Sequence, residues 1–431
     1  MRDKFNLTIV KILKNLECKN FRFLFRVLFA ILLPVLWIKS YLFPARSVLY
    51  VGHMYYYPWY LSRALRKLGW KADVLNWDSN PTSQIYYHGE DFKFQYTTMY
   101  ELFEQVMFYL KALFIYDIFH FSNAHGISFS YSLTSILDNK NNENYVIHFL
   151  KKTGKKIVYS HNACFDGVSQ SRFSKWGSES VCSICSWRDK PDVCNDFRNL
   201  EWGRFRNSVA DYQCTLGGNR VDCNDFPTIH EVPEFYCQDP EIWNPYLIIP
   251  NEFKLSRKSE KTVILYHGIG NKEVRTNGMG VNIHSSHIYF PLIERLIGEG
   301  MDLEIISPTG VPNRDVRFIQ AQSDIFLDML TYGWFGAMAR EAMMLGKPVM
   351  CYMRPEWLES MRQEIPEYID ELPIISATPQ TVESILRDLI MDKEKRISIG
   401  RKSLDFAMKW HSTDAAGRRF DDIYKKLLRP L

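Results

Sequence analysis

At 431 residues the chain exceeds what one ordinary core holds, so two domains with an appendage are expected. Its 46% hydrophobic and 24% charged residues exclude a largely disordered chain. The net charge of +4 is uneven: residues 1–46 hold nine Lys and Arg against Asp3 and Glu17, while the rest carries 44 basic and 47 acidic side chains. That balance argues against nucleic-acid binding by the main body and leaves the basic N-terminus to be explained.

On a helical wheel Phe5, Ile9, Ile12, Leu13 and Leu16 share one arc, with Lys4, Lys11 and Lys14 opposite. After Arg22 and Arg26 an uncharged run extends from Val27 to Ile38, interrupted by Pro34 and closed by Lys39. The run is shorter than the roughly 20 residues a spanning helix needs. The expected form of residues 1–46 is therefore a monotopic anchor on an anionic membrane surface, with a spanning segment at Phe21 to Phe43 as the rival. The rest of the chain is expected to fold without it.

From Ser47 onward strands and helices alternate. Val48-Leu49-Tyr50-Val51 reads as a buried strand, followed by Gly52 and His53, a helix from about Pro58 to Leu68, and a strand at Ala72 to Asn76. This order predicts βαβ units on a parallel sheet. Further strands are read at Asp117–Phe121 and Lys156–Ser160. Trp243-Asn-Pro-Tyr-Leu-Ile-Ile-Pro is Pro-punctuated and suits a linker. A second series follows, with strands at Val263–Tyr266, Leu303–Ser307, Asp324–Leu327 and Pro348–Tyr352, a helix at about 285–298, and helical segments from about Thr378. The expected fold class is α/β: two Rossmann-like doubly wound domains facing a cleft, at 47–245 and 246–431, with ligands at the carboxyl ends of the strands.

The most specific segment is Asp324-Ile-Phe-Leu-Asp-Met-Leu-Thr-Tyr-Gly-Trp-Phe-Gly-Ala-Met-Ala-Arg-Glu-Ala-Met-Met-Leu-Gly-Lys-Pro-Val-Met-Cys-Tyr. A strand enters a glycine-bracketed turn, a helix opens at about Gly336, and Gly346 ends it. The N–H groups at such a helix start can receive sugar hydroxyls or phosphate oxygens. Glu341 lies where a carboxylate can accept bonds from a ribose diol.

This segment resembles the donor-binding signature of retaining, family-four-like GT-B glycosyltransferases, and most of all a polysaccharide-biosynthesis branch that reads Asp-x4-Gly-Trp-Tyr-Gly…Glu-Ala-Met. The resemblance implies a hexosyltransferase-type enzyme that retains anomeric configuration. It implies that Glu341 binds the nucleotide ribose and that Gly333, Trp334, Phe335 and Gly336 meet the donor sugar. The family's first glutamate falls at Gly333, so its contact is absent or comes from elsewhere, with Asp328 as the candidate. His267-Gly268-Ile-Gly270-Asn-Lys272…Arg275 sits where the family places its glycine-rich loop and diphosphate-binding cations. The family's usual lysine appears here as His284. On the acceptor side Gly52 and His53 match a loop by position, and His120 or His125 are candidates to polarise a substrate. The likeness covers most of residues 47–430, strongly at 320–352.

Nine cysteines spread over a long chain argue for a reducing compartment. Cys182-Ser-Ile-Cys185, Cys194 and Cys164 have spacing suited to one structural Zn²⁺ in an insertion at 164–200. Cys214, Cys223 or Cys237 are possible substitutes for one ligand, and free or redox thiols are the alternative. No catalytic metal is expected.

The function expected from all of this is sugar transfer from a nucleotide-sugar donor to a lipid-linked or polysaccharide acceptor at the cytoplasmic face of a membrane, without nucleic acid. Two rivals remain. One is a catalytically degenerate membrane-bound partner that keeps the fold. The other is a nucleotide-sugar epimerase, which needs a carboxylate dyad this sequence does not display.

Overall fold

The computed structural model describes residues 2–52, 55–77, 86–94, 99–122, 129, 144–161, 181–188, 190, 194–216, 226–270 and 272–429, the side chains of 2–21, 99–103 and 274 excepted. In chain order the first half comprises α1 (Arg2–Leu42), β1 (Ser47–Val51), α2 (Tyr57–Lys67), β2 (Lys71–Asn76), β3 (Phe92–Lys93), α3 (Met99–Ile115), β4 (Ile118–Phe121), α4 (Tyr145–Lys152), β5 (Lys156–Ser160), α5 (Asp196–Val209), β6 (Tyr212–Thr215) and β7 (Ile229–Glu231). The second half comprises β8 (Val263–Tyr266), α6 (Lys272–Arg275), α7 (Ser286–Gly298), β9 (Leu303–Ile306), α8 (Asn313–Gln320), β10 (Ile325–Leu327), α9 (Ala337–Met344), β11 (Val349–Met350), α10 (Pro355–Glu364), α11 (Pro366–Asp370), α12 (Val382–Met391), α13 (Lys393–His411) and α14 (Thr413–Leu428).

Two separate sheets result, ordered β3-β2-β1-β4-β5-β6-β7 and β11-β10-β8-β9, and every described strand pair is parallel. The uninterrupted burial of Ser47–Val51 and Val263–Tyr266 follows from this, because a parallel sheet is covered on both faces. The fold is thus the expected α/β pair of doubly wound domains. In the first sheet the order reverses at β1, whose neighbours are β2 and β4. A reversal of this kind is where doubly wound sheets place ligands, at the carboxyl edge.

The N-terminal segment differs from expectation. Pro34 does not break it: one helix runs from Arg2 to Leu42. Proline removes the bond to the carbonyl four residues back, and that residue, Ala30, is exposed. Phe29 and Leu36, before and after the proline, are both fully buried. Phe29 stacks on Phe149 of α4, ring centroids 4.5 Å apart, and meets Tyr109 of α3 edge-on. Lys39 donates to both carboxylate oxygens of Asp117 at 2.6 Å. Fully buried Lys155 reaches Asp117 Oδ1 at 2.7 Å, and the Ala45 amide reaches Oδ2 at 2.7 Å. Burial pushes Lys155 down to about 8, against the pull of Asp117. One face of α1 is therefore part of the first domain's core.

The chain crosses between domains twice. After β7 and the segment around Trp243 it enters the second sheet, and the last helix returns. Gln238 N–H donates to His411 O at 2.7 Å and Thr413 N–H to Gln238 O at 3.0 Å, which fixes the return point. α14 then packs on α2, where Gly417 lies so close to Ala64 that an added Cβ would stand 3.1 Å from the Ala64 Cβ.

Candidate functional site: the cleft between the two sheets

Glu341 projects from α9 and is 1% exposed. Its Oε1 accepts from Tyr56 Oη at 2.8 Å and Asn313 Nδ2 at 3.0 Å, and its Oε2 from Gln320 Nε2 at 3.1 Å. Asn313 and Gln320 are seven residues apart at the two ends of α8, so both amides face the same way. Tyr56 comes from the other domain, at the start of α2, and itself accepts from Gln238 Nε2 at 3.3 Å. Burial raises the Glu341 carboxyl above its ordinary range, against three donors and Arg340, which lower it. The group expected to receive a ribose diol thus holds three protein donors instead, one of them a hydroxyl.

The glycine loop lies beside it and is equally occupied. A Cβ on Gly268 would sit 2.6 Å from Met338 Sδ, and one on Gly270 would collide with the Tyr86 hydroxyl. Close approach, not an unusual φ, requires glycine at both positions. Arg275 on α6 donates from Nη1 to His284 Nε2 at 2.9 Å. Burial, then the Arg275 charge, drives His284 well below its ordinary range. A neutral imidazole accepting from a guanidinium orients that cation and is no substitute for a lysine charge. Lys272 is exposed, its ammonium 5.6 Å from the Phe290 ring centre.

The turn between β10 and α9 explains the departure at Gly333. Its φ is +107°, and a Cβ there would stand 2.5 Å from Arg354 Nε. A side chain at this position is therefore strained as well as blocked. Asp328, the candidate for that contact, bonds within the turn. Its Oδ2 accepts from the Gly336 amide at 3.1 Å, and the residue is 2% exposed. Burial pushes its carboxyl up to about 6 despite the Gly336 and Met329 amides. The Gly336 N–H expected to grip a sugar is thus used inside the turn. Trp334 and Phe335 are buried, against Tyr332 and Trp357 respectively.

His120 is placed in the core. It is fully buried, with Nδ1 2.6 Å from Tyr424 Oη and Nε2 2.7 Å from Ser160 Oγ. Burial pushes it down to about 3, so it stays neutral. Gly52 adopts φ +85° directly after β1, and its amide donates to Leu75 O at 3.2 Å. His53, His125 and Cys164 lie outside the described residues.

The expected zinc site finds no support among the described residues. Among the described residues no group of three or more His, Cys, Asp or Glu can hold a metal ion. Cys182 packs against the hydrophobic core, and Cys185 Sγ accepts from the Trp187 amide at 3.4 Å. The segment docks on the second domain instead: Asn277 Nδ2 donates to Ile184 O at 3.4 Å. A cavity of about 460 Å³ opens between Cys185, Arg188 and Lys190 on one side and Glu273, Thr276 and Gly278 on the other.

Sequence reasoning missed Tyr56, Tyr57, Asn313, Gln320 and Arg340. The run Tyr55-Tyr56-Tyr57 just after Gly52-His53 was the available signal. Its partners lie far along the chain, so nothing local reveals them.

No family model matches the sequence, and no match was found among curated proteins. Solved structures do match. Sucrose-phosphate synthase from Thermosynechococcus elongatus superimposes with a TM-score of 0.55 at 13% identity, over 88% of this chain and 99% of that one. The Anabaena protein HepE, in complex with UDP and glucose, gives 0.52 at 10% identity over 88% and 99%. The catalytic domain of starch synthase IV from Arabidopsis thaliana, bound to ADP and acarbose, gives 0.50 at 11% identity over 89% and 99%. Two parallel α/β domains, joined by a chain that returns to the first in its last helix, define the GT-B fold. This chain has that fold along nearly its whole length.

Proposed function

We propose that the protein is a glycosyltransferase that moves a sugar from a nucleotide-sugar donor to a lipid-linked or surface-polysaccharide acceptor, with retention at the anomeric carbon. The observation that carries the reading is the convergence of Glu341, the Gly268–Gly270 loop and the Arg275–His284 pair at the carboxyl edge of the second sheet. A carboxylate suits the ribose hydroxyls, and backbone amides with an oriented guanidinium suit a departing diphosphate. The UDP and ADP seen in two matched structures agree with that chemistry. Tyr56 and Tyr86 fill these positions here, so the arrangement is a closed one that a donor opens by displacing two tyrosine hydroxyls.

The reading includes a membrane setting at the cytoplasmic face. One described helix segment, Arg22–Leu42, is long and apolar enough to cross a membrane. Its inner face is committed to the first domain, while Phe23, Leu24, Val27, Ile31, Val35, Ile38 and Leu42 point outward. A helix lying on the leaflet keeps both faces satisfied, whereas spanning strips Phe29 and Lys39 from their partners. A catalytically silent partner on the same fold is the second reading, and the bare Gly333 favours it.

The test is release of nucleoside diphosphate from UDP-, ADP-, GDP- and CDP-sugars by the purified full chain in detergent. The expected result is turnover with one nucleotide class, lost in Glu341→Ala. Wild-type turnover in that variant overturns the placement of the donor. Tight nucleotide-sugar binding without hydrolysis or transfer supports the silent partner.

A further inference from the structure

Arg340, the neighbour of Glu341 on α9, is a buried cation with no carboxylate in direct contact, the Glu341 and Asp328 charges acting on it only at longer range. The residue is 5% exposed, and among the described residues no carboxylate lies within ion-pair distance of it. Its guanidinium is caged by rings, with centres 5.0 Å away at Tyr236 and 5.8 Å at Tyr57 and Phe335. Nη2 donates to the Tyr57 hydroxyl at 3.0 Å, and Nε has no partner. Ring faces and one neutral oxygen offset only part of what a guanidinium loses on leaving water. Arginine presents five donors in a fork shaped for an oxyanion, and here that fork is mostly unfilled.

The placement says when an anion arrives. Tyr56 and Tyr57 are consecutive at the start of α2, and Arg340 and Glu341 are consecutive on α9. Across the cleft, Tyr56 gives its hydroxyl to the carboxylate and Tyr57 receives the guanidinium. Parting the two domains breaks both bonds at once. It leaves a carboxylate that needs hydroxyl donors beside a guanidinium that needs an anionic acceptor. A sugar phosphate meets both needs.

We propose that Arg340 is an anion-binding residue of the interdomain cleft, taking a phosphate oxygen of the ligand whose hydroxyls go to Glu341, with Tyr57 holding its place when the cleft is closed. The inference rests on the glycosyltransferase reading for the presence of such a ligand. It adds a phosphate contact distinct from Arg275, which belongs to the short helix after the glycine loop. The phosphate belongs either to the donor's diphosphate or to a phosphorylated lipid acceptor, and one experiment separates them.

Binding of UDP, ADP, GDP, their parent nucleosides, inorganic diphosphate and farnesyl phosphate is measured by calorimetry on the full chain in detergent. The wild type is compared with Arg340→Met, Arg340→Lys and Tyr57→Phe. If the donor supplies the anion, Arg340→Met weakens the preferred nucleoside diphosphate tenfold or more while the nucleoside binds as before. If the acceptor supplies it, the same loss appears with farnesyl phosphate and the nucleotide is unaffected. Arg340→Lys recovers part of either loss. Tyr57→Phe, which removes the competing hydroxyl, tightens the same ligand severalfold and keeps the test open should Arg340→Met fail to fold. Phosphate affinities within twofold of wild type in Arg340→Met, or unchanged in Tyr57→Phe, overturn the inference and leave the glycosyltransferase reading standing. A wild type that binds no nucleotide or nucleotide sugar removes both.

Discussion

Asp328 and Glu341 are two buried carboxyls on either side of the same turn, and they differ in what they hold. Glu341 is bonded to three side chains from two elements, while Asp328 holds the backbone of its own turn through the Gly336 amide. Because burial lifts Asp328 to about 6, it binds a proton more tightly folded than unfolded. Its ionised form therefore costs stability at neutral pH, and that cost falls away as pH drops through about 6 towards the unfolded value. Between pH 7.5 and 5 the wild type should gain roughly 1 kcal/mol relative to Asp328→Asn, whose amide oxygen still accepts from Gly336. Urea unfolding of both proteins at the two pH values checks this, and parallel pH profiles refute it. Glu341 itself was legible in the sequence, because a strand, a glycine turn and a helix place it within one short segment. The meaning of Gly333 was not, because its φ and the Arg354 side chain above it are products of the folded turn.

At the scale of elements, α1 shows what hydropathy leaves open. The apolar text from Val27 to Ile38 is plain, but its division into an inner and an outer face depends on Phe149 and Tyr109, far along the chain. The two faces should answer differently to substitution. Phe29→Ala empties a fully buried ring site and should cost about 3–5 kcal/mol in chemical denaturation. Ile31→Asp, on the outer face, should leave the unfolding free energy within about 0.5 kcal/mol of wild type. The same variant should weaken sedimentation with phosphatidylserine-containing vesicles. Equal stability losses in the two variants would show that α1 is buried all round. By the same reasoning, deleting residues 1–44 removes Phe25, Phe29, Leu36 and Lys39 from the first domain, so the remainder should be less stable than a free-standing body. The strand-helix alternation of both halves was legible because each element carries its own periodicity. The helices α3, α4 and α5 were not, since they lie between segments without that punctuation.

For the whole molecule, the element that joins the halves is α14. It leaves the second domain and binds the first through Tyr424, whose hydroxyl is 3.1 Å from that of Tyr50 and 2.6 Å from His120 Nδ1, and through Asp421, which accepts from Trp70 Nε1 at 2.8 Å. Gly417 makes the close crossing over Ala64 possible. Gly417→Leu should force the helices apart and cost about 1–3 kcal/mol, read as a lower midpoint in guanidinium unfolding. An unchanged midpoint would mean that α14 does not clamp α2. None of this crossing was legible from the sequence, in which α14 reads simply as a late amphipathic helix.

The return of α14 also orders events during synthesis. The surface of α2 around Ala64, Leu65 and Leu68 emerges from the ribosome hundreds of residues before the helix that covers it. Throughout that interval the first domain has its sheet but an uncovered apolar flank, of the kind that invites association between nascent chains. The second domain, whose cluster around Val263, Leu292, Ile325 and Leu386 lies wholly within its own segment, faces no such wait. It is positioned to finish folding before the domain that was translated first.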